Sequence, residues 1–168
     1  MINLHAIANR VLKMAHPNET FIVIRCTGFV NTNGVLLHYY GNCEKVSAQM
    51  QSLNGDEQKL ANEMMQNEIS RKLFISVRGA PLTAGRFDTQ EGASFLYHPK
   101  TGQFWKVFNI NEDFSNCEWA TVFISLMPPE STPDVVLKAL KDSDFGYYTH
   151  KPSSAQNEFI DGYDSTDL

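Results

Sequence analysis

The chain has 168 residues, an apolar fraction of 42% and a net charge of −5, values typical of one globular domain that is stable without disulfides or a metal. No stretch holds the roughly 18 consecutive apolar residues that a membrane span needs, and the N-terminus lacks the pattern of a secretory signal. The cysteines Cys26, Cys43 and Cys117 show no C-x-x-C spacing, which favours a reducing compartment. We therefore expect a cytoplasmic protein, or one in the host cytoplasm if its source is a virus or phage, without membrane association.

Charge is unevenly divided along the chain. Residues 1–110 carry eleven Lys and Arg against eight Asp and Glu, whereas residues 111–168 carry three against eleven. A sequence pI near 5.5 argues against nucleic acid as the principal partner, because binding to a phosphate backbone needs clustered Lys and Arg. The acidic C-terminal part predicts instead a protein partner with a basic surface.

The first predicted element is an amphipathic helix that begins after Asn3 and ends before Pro17. Its apolar stripe comprises Leu4, Ile7, Ala8, Val11, Leu12 and Ala15. A β-hairpin follows, with strands at residues 21–26 and 35–40, because Asn33-Gly34 readily adopts the positive φ angles of a tight turn. Residues 21–24 are apolar at every position, which predicts a strand buried on both sides.

Residues 43–73 are predicted to form a helix in two pieces. Val46, Met50 and Leu53 make the first stripe, and Asn54 with Glu57 resembles a capping box that starts the second piece. A third strand is predicted at residues 73–78, and glycines and Pro81 predict a loop over residues 79–92.

A second hairpin is predicted at residues 93–98 and 103–110, around a turn at residues 99–102. A final strand is expected over residues 119–127. Thr132 as N-cap and Pro133 at the first helical position then predict a last helix that ends near Lys141. Residues 1–148 are assigned to a single globular domain, and residues 149–168 to an acidic, disordered tail.

This pattern predicts an α+β fold, with a mostly antiparallel sheet of five to six strands and helices packed on one face, in the order α-β-β-α-β-β-β-β-α. The order is similar to that of roadblock, longin and profilin-like modules, and loosely to that of type III secretion chaperones. The similarity lies in element order alone, because no motif is shared.

One tripeptide suggests chemistry. Asn116-Cys117-Glu118, followed by Trp119 and an apolar run, resembles the Asn-Cys-Glu segment of the permuted papain-like thiol enzymes, the lecithin:retinol acyltransferase-like group. In that group a histidine on an earlier strand activates the cysteine, a place that His38 would take here. The resemblance implies a hydrolase or acyltransferase, whereas the competing interpretation is that Cys117 is a structural cysteine.

Aromatic residues accumulate where the chain becomes acidic. Alternation places Phe104 and Phe108 on one strand face and Trp105 on the other, so that one face belongs to the core and the other is either exposed or buried under a helix. We expect a partner-binding surface formed by Glu112, Asp113, Phe114, Glu118 and Trp119.

The main functional expectation is a non-enzymatic protein-binding or inhibitory module, such as an immunity protein, a viral or phage antagonist of a host factor, or a chaperone-like protein. Self-association is also open. The histidines are scattered and none pairs with Cys or Asp at zinc spacing, so that neither a metal site nor a cofactor is expected.

Overall fold

The computed structural model describes residues 17–65, 69–76, 82–85, 92–114 and 119–145, with the backbone alone at residues 112–114 and 129. These ranges contain six strands and two α-helices. The strands are β1 (Glu19–Thr32), β2 (Val35–Gln51), β3 (Ser70–Ser76), β4 (Phe95–His98), β5 (Gln103–Phe114) and β6 (Trp119–Met127). The helices are α1 (Gly55–Met65) and α2 (Asp134–Lys141), and a short 3-10 turn (Pro129–Ser131) lies between β6 and α2.

The six strands form a closed barrel in the order β1-β2-β3-β6-β5-β4, and each strand pairs antiparallel with its neighbours. The barrel consists of two three-stranded meanders, β1 to β3 and β4 to β6. One seam joins β3 to β6, and the other joins residues 22–24 of β1 to residues 95–97 of β4. Closure leaves the paired part of the sheet without an open edge.

The interior of the barrel is a hydrophobic core to which all six strands contribute. Side chains alternate between the two faces of a strand, so that every second residue points inward. The core contains Phe21, Val23, Val46, Ala48, Leu73, Ile75, Leu82, Leu96, Trp105, Val107, Ala120, Val122 and Ile124. Filling by large side chains is typical of a small barrel, whose interior holds a packed core.

Each helix covers a different part of the outer surface. Val136 and Leu140 of α2 pack on residues of β1, β4 and β5, including Ile24 and Phe95. Ala61 and Met65 of α1 pack on Phe108 of β5 and Phe123 of β6. Neither helix is long and apolar enough to cross a membrane, nor is any other helix in the described ranges.

The predicted α+β fold with helices on one face is therefore wrong. The antiparallel sheet is present, but it closes on itself, and α1 and α2 lie on separate outer faces. Closure depends on the long-range pairing of β1 with β4, for which the sequence contains no local signal. The N-terminal helix of the predicted order lies outside the described residues.

The predicted first helical piece, from residue 43, is also wrong, because β2 continues to Gln51. Val46 and Met50 are four residues apart, which places them on the same side of a helix and also on the same face of a strand. Val46 and Ala48 enter the barrel core, and residues 48–51 pair with β3. Pairing with two neighbouring strands decides between the two periodicities.

Most of the other predicted elements are confirmed. The first hairpin turns at Asn33 and Gly34, whose φ angles are 54° and 84°, and residues 21–24 are buried. The second hairpin is present, although its first strand begins at Phe95 and its second continues to Phe114, and β6 has the predicted bounds. The backbone N–H of Glu57 donates to Oδ1 of Asn54 at 2.9 Å, and the N–H of Asn54 donates to the Glu57 carboxylate at 2.8 Å, as in a capping box.

Two predictions at the C-terminal end have different outcomes. The last helix ends at Lys141 as predicted, but Pro133 is its N-cap. Thr132 lies one position earlier and donates its hydroxyl hydrogen bond to the carbonyl of Pro128. The boundary between the domain and the predicted tail, at residues 148 and 149, lies outside the described residues and stays a prediction.

We expect Leu73→Ala to lower the free energy of unfolding by about 2–5 kcal/mol, because Leu73 is fully buried in the barrel core and its truncation leaves a cavity. The matched control is Leu60→Ala on α1, where the leucine is 40% exposed. This control should change stability by less than about 0.5 kcal/mol. Urea denaturation of both variants measures the difference, and equal losses would contradict the assignment of the core.

Candidate functional site

The most unusual part of the described structure is a two-stranded extension, here called the arm (residues 25–41). Pairing of β1 with β4 stops at Ile24, and pairing of β2 with β3 begins only at Ala48. Within the described residues, the strands of the arm therefore pair only with each other. The arm continues β1 and β2 past the closed part of the barrel.

The sequence of the arm fixes its turn and register. Asn33 and Gly34 occupy the left-handed region, as a two-residue hairpin loop requires, and the N–H of Gly34 donates to Oδ1 of Asn31 at 2.9 Å. Thr32 consequently lies opposite Val35, and Phe29 lies opposite His38. Two irregularities, between residues 23 and 25 and between 26 and 28, shift the register at the base of the arm.

One face of the arm is apolar and exposed. This apolar face consists of Val30, Val35, Leu37 and Tyr39, whose exposed fractions lie between 41% and 59%. Val30 is directly opposite Leu37, so these side chains form one continuous surface. No Asp, Glu, Lys or Arg occurs from residue 26 to residue 43, and depletion of charge is typical of the core of a protein interface.

The opposite face of the arm carries Cys26, His38 and Phe29. The Sγ atom of Cys26 lies 3.7 Å from Nδ1 of His38, and the two side chains are both partly exposed. The rings of Phe29 and His38 are in contact, with centroids 6.1 Å apart. Cys26 and His38 thus form a thiol–imidazole pair that was not predicted from the sequence.

A glycine backbone covers the Cys26–His38 pair closely. A Cβ atom at Gly92 would overlap Sγ of Cys26 and would lie 3.0 Å from Nδ1 of His38. Gly28, in contrast, has open space around the place of its missing Cβ. Only glycine at position 92 therefore permits this approach of the backbone to the pair.

The base of the arm contains further polar groups. Arg25 and Glu44 form an ion pair at 2.8 Å. Burial raises the pKa of Tyr40 to about 12, and negative charge on Cys26 contributes to the same shift. Burial likewise raises the pKa of the Cys43 thiol, which donates to the carbonyl of Ala139 at 3.6 Å. Cys26 and Cys43 therefore lie in different surroundings, one beside an imidazole and the other beneath α2.

The predicted site residues are only partly described. Glu112, Asp113 and Phe114 belong to the end of β5, where they pair with the first residues of β6, and Trp119 is partly buried at the start of β6. Cys117 and Glu118 lie outside the described residues. His38 is placed beside Cys26, so the structure gives the predicted histidine a partner other than the predicted cysteine.

Because all neighbouring strands are antiparallel, β1, β3 and β5 run in the same direction. The C-terminal ends of β1 and β5 consequently lie at the same end of the barrel. The arm and the acidic segment around Glu112 and Asp113 therefore share this end.

The chain matches no model of a known protein family, and no curated protein is significantly similar to it. Among the described residues, no three His, Cys, Asp or Glu side chains come together as a group that could hold a metal ion.

His98, at the end of β4, has a structural role. Its ring stacks on Phe21 with centroids 4.7 Å apart, and its Nε2 lies 3.2 Å from the Glu19 carboxylate. Its Nδ1 lies 2.8 Å from the Thr101 hydroxyl, which donates its own hydrogen to Oε1 of Gln103 at 3.1 Å. Burial lowers the pKa of His98, although Glu19 acts in the opposite direction, and the charge of Lys100 adds to the lowering.

We expect the His98→Gln variant to lose less stability than the wild type when the pH falls from 7.5 to 5. The pKa of His98 is below its ordinary value of 6.5 in the folded protein, so the unfolded chain takes up this proton first. The stabilisation is fully present above about pH 6.5 and is lost as the pH falls through the lowered folded-state pKa. Urea denaturation at several pH values measures the free energy of unfolding of both proteins. If the two curves of this free energy against pH ran parallel, a buried neutral His98 would be excluded.

Proposed function

We propose that this chain is a non-enzymatic protein-binding module that docks through the apolar face of the arm. The observation that carries the proposal is the exposure of Val30, Val35, Leu37 and Tyr39 on one continuous uncharged surface. Scattered exposed apolar residues are ordinary, whereas a contiguous group of them marks an interaction surface.

The energy available from this surface is considerable. The four side chains are about half exposed, and burying the remainder would contribute on the order of 4 kcal/mol. A two-stranded ribbon without further partners is marginally stable in water, and its open strand edges are templates for pairing with another chain. A partner that covers the apolar face would remove its side chains from water. A partner that adds a strand to an edge would pair the open backbone groups of that edge.

The rest of the barrel supports an external binding surface. Its interior is occupied by core side chains from all six strands. The two helices cover other parts of the outer surface. Exposed large apolar side chains outside the arm are Leu60, Ile69 and Val135, whereas the arm holds several of them side by side on paired strands.

The predicted acidic surface, Glu112, Asp113, Phe114, Glu118 and Trp119, remains part of this proposal. Its support is that the described residues of this surface, Glu112, Asp113, Phe114 and Trp119, belong to the paired ends of β5 and β6 at the end of the barrel from which the arm extends. A partner with an apolar surface beside basic residues could contact the apolar face of the arm and the acidic surface together. Opposite charges would accelerate association, whereas apolar contact would provide affinity. Such a partner fits the predicted classes of inhibitor, antagonist and chaperone-like protein.

We expect Leu37→Lys to reduce capture of partner proteins by the immobilised chain at least tenfold, because it places a charge in the centre of the apolar face. Leu60→Lys is the matched control, since Leu60 is also exposed but lies on α1, and it should capture partners as the wild type does. Quantitative mass spectrometry of proteins retained from host lysate measures both variants. Equal capture by all three proteins would eliminate the arm as the docking surface.

We expect binding through the apolar face of the arm and binding through the acidic surface to respond differently to salt. Capture through apolar contact should persist when salt is raised, whereas capture that depends on Glu112 and Asp113 should weaken as charges are screened. The double variant Glu112→Lys with Asp113→Lys tests the acidic contribution. Light scattering of the purified chain distinguishes self-association from binding of another protein.

The alternative proposal is a cysteine hydrolase or acyltransferase of permuted papain-like type that uses Cys117 with His38. A histidine in contact with a thiol on the arm favours thiol chemistry in general. The proposal expects Cys117 to react with iodoacetamide at neutral pH faster than an ordinary free thiol, because the nucleophile must be a thiolate. Mass spectrometry of the labelled peptides measures this, and an ordinary rate at Cys117 excludes the alternative.

A further inference from the structure

The Cys26–His38 pair combines the features of a nucleophilic thiol. Nδ1 of His38 is within hydrogen-bond reach of Sγ at 3.7 Å, and both residues are partly exposed to solvent. The thiol hydrogen has two acceptors, Nδ1 and the carbonyl of Gly28 at 3.4 Å. When it is donated to Nδ1, proton transfer produces a thiolate beside an imidazolium, and the thiolate is the reactive form of cysteine.

The surroundings preserve this geometry. His38 is opposite Phe29 in the register of the arm, and the two rings are in contact. Gly92 brings its backbone against both Sγ and Nδ1 on one side of the pair. The pair thus depends on three segments: β1, β2 and the residues that precede β4.

We propose that Cys26 is a site of thiol–disulfide exchange with small disulfides, for which His38 acts as the base. This site lies on the face of the arm opposite the apolar face, and it does not depend on the docking proposed above. The substrate class is a low-molecular-weight disulfide, since a small molecule can reach the partly exposed side chains of Cys26 and His38.

The exchange step is balanced without an additional oxidant. Nδ1 of His38 takes the proton from Cys26, and the Sγ thiolate attacks one sulfur of the small disulfide. The disulfide bond of the substrate breaks as the new bond to Sγ forms. The departing thiolate takes the proton from His38, so that Cys26 is oxidised to a mixed disulfide and one half of the substrate is reduced to a thiol.

Cys43 provides an internal reference. Its pKa is raised by burial, and its thiol donates a hydrogen bond to the backbone carbonyl of Ala139 in α2. A raised pKa reduces the thiolate fraction at neutral pH. Cys43 therefore serves as a slowly reacting thiol within the same molecule and under identical conditions.

The experiment incubates the full chain with glutathione disulfide at pH 7 and measures the modification of each cysteine over time by peptide mass spectrometry. We expect Cys26 to react at least about tenfold faster than Cys43, because a free thiol of pKa about 8.5 is only a few per cent thiolate at this pH. His38→Gln should remove this difference at pH 7. Equal rates for Cys26 and Cys43 in the wild type, or an unchanged rate in His38→Gln, would overturn the proposal.

A second comparison separates the role of His38 as a base from a purely structural role. At pH 9 a free thiol ionises without assistance, so Cys26 in His38→Gln should react as it does in the wild type. Among the described residues, the other ionisable groups at the base of the arm are Tyr40, neutral at this pH because its pKa is about 12, Cys43, whose pKa is raised by burial, and the Arg25–Glu44 ion pair. Slow reaction at both pH values would show that the substitution merely displaces Cys26, and would overturn the assignment of His38.

Two glycine variants test the contact with the backbone. Gly92→Ala should slow the modification of Cys26 at pH 7 severalfold, because the added methyl group must displace Sγ or the imidazole ring. Gly55→Ala on α1 is the control, since open space surrounds its missing Cβ, and it should react at the wild-type rate. Melting temperatures of both variants verify folding, and an equal rate in the two folded variants would contradict the proposed geometry.

Discussion

Three residue pairs between β1 and β4 close the barrel, and the rest of the structure depends on this seam. Without it, β1 and β4 would be the open edges of a six-stranded sheet, and the apolar faces of both meanders would have no common interior. With it, residues from every strand meet in one core. The seam is short because β4 has only four residues. β1, with fourteen residues, therefore continues past its partner, and that surplus length forms the arm.

The arm concentrates the functional features in one hairpin. Its two faces alternate along the strands, so that Val30 and Leu37 occupy one side while Cys26 and His38 occupy the other. A docking surface and a reactive thiol can therefore coexist without sharing a side chain. The absence of Asp, Glu, Lys and Arg from residues 26 to 43 affects both faces, since neither carries a net charge that would repel a partner or a second copy of the chain.

In the helices, local and long-range interactions determine different properties. The capping box at Asn54 and Glu57 begins α1 through local hydrogen bonds, and Glu57 also bonds to Lys72 of β3 at 2.7 Å. Burial of Ala61 and Met65 against β5 and β6 then fixes where α1 lies. In α2, where Pro133 is the N-cap, Val136 and Leu140 pack against residues of β1, β4 and β5. Local signals start each helix, whereas apolar contact positions it.

The sequence by itself determined the elements whose signals are local. Asn33-Gly34 fixes a tight turn because few other residues tolerate two positive φ angles, and the apolar residues 21–24 have no polar face to expose. Phe29 opposite His38 also follows from that turn by counting outward along the two strands. Only the tertiary structure decided the remaining features. Val46 and Met50 suit a helix and a strand equally until β1 and β3 pair with β2, and Cys26 reaches His38 through an irregular register and the approach of Gly92. Closure, register shifts and exposure depend on residues far apart in the chain, and no local pattern encodes them.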